Sequence, residues 1–88
     1  MPIPDNVDRQ KLAEVGLALL HLTAFSDRSG TRAWKGLDWD LLGLLYEHDW
    51  IHDPKGKAKS VVLTDEGARL GEEFFRRHFA ASAPRRAV

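Results

Sequence analysis

The chain has 88 residues, with 13 Lys and Arg balanced by 13 Asp and Glu for a formal net charge of zero. That length fits one small domain, and the lack of cysteine excludes disulfides and thiolate metal sites. The balanced charge argues against strong non-specific nucleic-acid binding. The longest strongly apolar run, within Val15 to Leu22, is too short to span a bilayer. The first residues, MPIPDNVD, lack the basic region and apolar core of a signal peptide, so a cytoplasmic protein is expected.

Residues 1–6 read as a flexible arm. Asp5 or Asp8 suits the N-cap of a first helix, where a carboxylate accepts orphan backbone N–H groups. Leu12, Val15, Leu19 and Leu22 recur at helical spacing and predict its buried face, widened by Gly16, Leu20 and Thr23. The middle of this helix is apolar almost all round, which predicts a central position in the core. Gly16 costs roughly 1 kcal/mol relative to Ala in a helix, so a close passing backbone is expected there. Residues 26–36 carry Gly30, Gly36 and several small polar residues, and read as a loop anchored by Trp34. A second helix is predicted to start at Asp38, with Leu37 and Leu42 as a hydrophobic staple and Asp40 in the first turn. Leu41, Leu45 and His48 line one face, Leu42 and Tyr46 lie beside it, and Leu44 widens the apolar sector. The helix should end near Asp49.

Trp50 to Asp53 reads as a strand, and Asp53-Pro54-Lys55-Gly56 as a turn in which Pro fixes φ and Gly permits positive φ. Lys59 to Leu63 forms the return strand, with Val61 and Leu63 inward and Ser60 and Val62 outward. Thr64 then caps a last helix whose dipole Asp65 and Glu66 complement. Leu70, Phe74 and His78 form one stripe on it, flanked by Gly71, Phe75 and Phe79. The domain is expected over residues 7–81, with 82–88 a disordered tail. The fold class expected is α+β and mainly helical: a winged-helix-like domain of three helices, with one β-hairpin, the wing, between the second and third.

Leu44-Leu45-Tyr46-Glu47-His48-Asp49-Trp50-Ile51, the hairpin after it and Leu63-Thr64-Asp65-Glu66-Gly67 resemble the back half of MarR-type and PadR-type winged-helix regulators. The resemblance covers residues 41–70 by pattern. The segments AWKGLDWD and KAKSVVLTDEG also resemble a small, uncharacterised bacterial single-domain family. The family's turn glycine is replaced by Asp49, one of the few non-Gly residues that enter the left-handed region. A recognition helix brings Arg, Lys, Asn or Gln to base edges. Here the helix offers Asp38, Asp40, Glu47 and Asp49, which repel phosphates, so DNA-reading roles are not carried onto it.

Charge falls in blocks. Lys55, Lys57 and Lys59 on the wing are candidate phosphate contacts, or a solvated turn protecting an edge strand. Arg28, Arg32 and Lys35 add basic character around Trp34, suited to nucleic acid or to a protein partner. Trp34 and Trp39 are candidate partner residues, or close the bottom of the core. Phe74, Phe75 and Phe79 are candidates for a dimer seam, or core. His48 and His52, within an HD-x-x-HD repeat, are weak metal candidates, because the helix should stop between them and no third ligand is evident. No nucleophile context or phosphate-cradling loop is present, so no enzyme, cofactor or small-molecule ligand is expected. The chain reads as a protein-interaction module that self-associates or binds a protein partner. The alternative is a DNA-binding regulator using the wing and residues 28–35.

Overall fold

Asp8 is the residue that opens the first helix: its carboxylate accepts a hydrogen bond from the Lys11 backbone N–H at 3.0 Å. The computed structural model describes residues 3–28 and 30–80. In chain order these form α1 (Arg9–Leu22), β1 (Phe25–Asp27), β2 (Gly30–Trp34), α2 (Trp39–Glu47), β3 (Ser60–Val62) and α3 (Asp65–Phe79). The expected tail at 82–88 lies outside the described residues. Ile3, in the expected arm, packs against the core.

An α+β domain with three helices is therefore present, but its hairpin is not where a winged helix would put it. The β-hairpin joins α1 to α2, through β1 and β2, across residues expected to be a loop. β3 completes an antiparallel sheet of order β1-β2-β3, with Ala33 opposite Val61 and Trp34 opposite Ser60. The expected first wing strand contributes only an isolated bridge between Ile51 and Leu63, and a hydrogen bond from the His52 N–H to the Val62 carbonyl at 2.9 Å. The inward set on the return strand is as expected, since Val61 and Leu63 are buried. The period-2 alternation turned the right face to the core even though the pairing partner was β2.

α1 lies at the centre, packed on α3, α2 and β2. Its buried set is Ala13, Gly16, Leu17, Ala18 and Leu20, whereas Leu19 and Leu22 are exposed. This overturns the expected face. A helix apolar all round has no unique moment, and here the neighbours settle on the side of small residues, where elements approach most closely. Gly16 faces the Leu41 side chain of α2 rather than a passing backbone.

The second and third helices are capped as the sequence implies. The Asp38 carboxylate accepts from the Asp40 N–H at 3.0 Å. After α2 the chain turns at Asp49, which holds φ at 64°. The Thr64 hydroxyl then does two things at once: it donates to the Asp49 carbonyl at 2.8 Å and accepts from the Gly67 N–H at 2.9 Å. The Thr64 N–H donates to the Trp50 carbonyl at 3.0 Å. That carbonyl lies where a Cβ on Gly67 would have to sit. The L-T-x-x-G pattern is thus a clamp that closes the end of α2 onto the start of α3. Trp50 packs behind it on Phe74, with ring centroids 5.4 Å apart.

A polar clasp ties the first helix to the last. Glu14 Oε1 lies 3.0 Å from His78 Nε2 and 3.3 Å from an Arg77 guanidinium nitrogen, and Arg77 also reaches Glu73 at 2.8 Å. Gln10 donates to Glu14 Oε2 at 3.1 Å. The hydrogen bonds from Gln10 and His78, with the nearby Arg77 charge, outweigh burial and hold the Glu14 carboxyl below its usual range.

Candidate interaction surface

Register fixes which side chains leave the sheet on its solvent side. Phe25 lies opposite Arg32, Arg32 opposite Val62, and Trp34 opposite Ser60, so Phe25, Arg32, Trp34, Ser60 and Val62 share that outer face. The Phe25 and Trp34 rings meet at 5.3 Å between centroids, and Trp34 remains 54% exposed. Trp34 therefore does not anchor a loop in the core. Arg32 is committed to the sheet: Nε donates to Ser60 Oγ at 2.8 Å, a terminal nitrogen donates to the Ser60 carbonyl at 3.3 Å, and Asp27 lies 3.9 Å away. Its charge serves the strand pairing first.

The fold brings one subset of the basic residues together. β2 runs on past Trp34, so that the Lys35 N–H donates to the Lys59 carbonyl at 2.8 Å, and Lys35 Nζ donates to the Gly56 carbonyl at 3.4 Å. Lys35 thereby joins the loop that carries Lys55, Lys57 and Lys59, all three exposed. Arg28 sits in the β1–β2 turn, separated from that cluster by the length of β2.

The second aromatic surface is on α2. Its buried residues are Leu42, Leu44 and Leu45. The opposite arc carries Trp39 (53% exposed), Tyr46 (46%), Asp40 and Glu47, with Gly43 between them. A Cβ at Gly43 would meet nothing within 4 Å. No internal contact thus requires glycine there, although glycine in a helix interior costs about 1 kcal/mol relative to Ala.

The phenylalanines of α3 separate by environment. Phe74 is buried on Trp50, and Arg77 lies 5.1 Å above its ring centroid, so it is a core residue. Phe75 packs on His21 with centroids 5.5 Å apart, and Phe79, at the end of the helix, is 46% exposed. His48 stacks on Trp50 at 4.4 Å, and His52 is exposed. The described residues contain no group of three His, Cys, Asp or Glu side chains placed to hold a metal ion. No helix among them is long and apolar enough to cross a membrane.

Residues 8–81 match the model of a family described as Domain of unknown function (DUF6429). The chain belongs to this family. A similar DUF6429-length relative is the uncharacterized protein y4hR of Sinorhizobium fredii (strain NBRC 101917 / NGR234), 49% identical over 73 residues, which covers 83% of this chain and 95% of y4hR. No solved structure matches the chain. The match accords with the resemblance to a small, uncharacterised bacterial family, while the likeness to MarR-type and PadR-type regulators gains nothing from it. Two features of this DUF6429 chain escaped the sequence reading. Phe25 was lost with the missed hairpin. The outer arc of α2 was legible as Trp39 and Tyr46 seven residues apart with a glycine between them, but Tyr46 was assigned to the flank of the apolar sector.

Proposed function

We propose that this protein is a non-enzymatic protein-interaction module. The observation that carries the reading is the placement of its tryptophans: two of three, Trp34 and Trp39, are more than half exposed, at 54% and 53%. Tryptophan is buried on average and is enriched among the residues that dominate binding energy at interfaces. Neither Trp34 nor Trp39 belongs to the buried core, which Trp50 serves instead. Both aromatic surfaces also carry fixed polar groups, Arg32 on the sheet and Asp40 and Glu47 on α2, as interfaces combine anchors with orienting charges.

A photo-crosslinking residue installed at position 34 or 39, with Lys11 as an exposed control, tests this in the cell of origin. Discrete adducts at 34 or 39 and none at 11 are expected. Absence of adducts at both positions overturns the reading. Sedimentation of the purified chain then tells whether the partner is a second copy.

The second reading is DNA binding through the lysine cluster. Its support is the convergence of Lys35 with Lys55, Lys57 and Lys59 beside exposed Trp34. Anisotropy of a labelled duplex at low salt should rise with protein, and the affinity should fall steeply as salt increases. A flat titration removes it.

A further inference from the structure

We infer that the outer face of α2 is a docking groove for a basic amphipathic helix of a protein partner. The inference rests on the interaction reading and adds the surface and the chemistry of what it takes. At about 100° per residue, positions seven apart nearly eclipse. Trp39 and Tyr46 therefore stand above one another along one side of the exposed arc, and Asp40 and Glu47 along the other. Gly43 lies between the two rows, at the middle of the helix. The result is a trough: an aromatic wall, an acidic wall and a floor of bare backbone over which the space is open.

Each part selects the occupant. A floor without a side chain lets a second helix approach more closely than a leucine would, which suits a face of Ala or similar small residues. Trp and Tyr offer large rigid apolar area with polar tips. The acidic wall calls for Lys or Arg on the facing edge. Beside that wall is a shallow open depression of about 210 Å³, lined by Ile3, Arg9, Asp40 and Glu47. Arg9 reaches Glu47 there only at 4.0 Å, with both side chains more than half exposed. Such a solvated pair is weak, so an incoming cation competes with it on near-equal terms.

A second copy of the same helix fits poorly. Antiparallel self-pairing across Gly43 brings each acidic wall against its own counterpart, and like charges there oppose association.

The test is an amide-correlation NMR titration with a synthetic helical peptide about four turns long, bearing an Ala and Leu face and a Lys edge. An otherwise identical peptide with Glu in place of Lys is the control. The basic peptide should shift the Gly43 amide and the Trp39 indole N–H, and the acidic one should not. Gly43→Leu, which has open space for its side chain, should leave the melting temperature no lower and weaken the basic peptide by about tenfold or more. The double variant Asp40→Lys with Glu47→Lys should invert the preference toward the acidic peptide. Equal binding of both peptides, shifts confined to Phe25 and Trp34, or Gly43→Leu binding like the parent would each overturn the inference. If the peptide fails but crosslinks form at Trp39, the interaction reading stands and this occupant does not. If crosslinks also fail, both fall.

Discussion

Two glycines on either side of one turn have opposite standing in this fold. Gly67 is required from within: the Trp50 carbonyl occupies the place a side chain would take. Gly43 is required by nothing in the chain, yet sits mid-helix where almost any other residue would be more stable. The first belongs to a clamp in which Asp49, Trp50, Thr64 and Gly67 satisfy one another. The second belongs to a surface whose aromatics are left in water. A glycine explained by its own fold speaks to folding. One that is not explained that way speaks to what the molecule meets.

That contrast can be broken by substitution. Gly67→Ala should have the largest effect, destabilising the domain by about 3 kcal/mol or more, because rigid backbone cannot yield to a new methyl group. A denaturant midpoint close to the parent's would show that the Trp50 carbonyl can move aside. Thr64→Ala should cost roughly 1–2 kcal/mol, since it removes the cap from α3 and the donor to the Asp49 carbonyl together. Hydrogen exchange at the Gly67 amide should speed up in that variant; unchanged protection would break the clamp.

The clasp between α1 and α3 contributes at acid pH. The Glu14 carboxyl has its pKa lowered from 4.5 in the folded chain, so its stabilisation is present above that value and is lost as the pH falls through the lower, folded value. Glu14→Gln should flatten the acid limb of the stability–pH curve. Identical limbs for parent and variant, measured by denaturant midpoint, would mean that another carboxylate sets it. The smallest effect is expected at the surface glycine: Gly43→Ala should stabilise by about 0.5–1 kcal/mol. A loss of stability on thermal melting would place an unseen internal constraint there and remove the contrast with Gly67.

The parts of this molecule that local chemistry determines were legible in its sequence. Asp38 and Thr64 cap their helices, Asp49 takes the left-handed turn, and Val61 with Leu63 points inward, each for a reason confined to a few neighbouring residues. What was not legible depends on distant partners. β1 is three residues long, and β2 starts at Gly30 with φ at 114° and carries Thr31 and Arg32, a weak strand signal. It becomes a strand because β3, nearly thirty residues later, pairs with it, and Arg32 crosses that gap to reach Ser60. The face of α1 was equally ambiguous, since the side of Ala13, Gly16 and Leu17 and the side of Leu19 and Leu22 are both apolar. Of the candidate surface, the exposed tryptophans were named from sequence, but their exposure and the groove around Gly43 needed the packing of α2.

The clasp from Glu14 to Arg77 and His78 has a consequence for how the chain is made. α1 packs more extensively on α3 than on any other element, so the first helix to leave the ribosome waits for the last. Until α3 emerges, Leu17 and Ala18 lack the neighbour that seals them, and synthesis passes through a stretch in which a sticky helix is uncovered. Folding here is a closing event at the end of translation rather than a growth from the amino terminus.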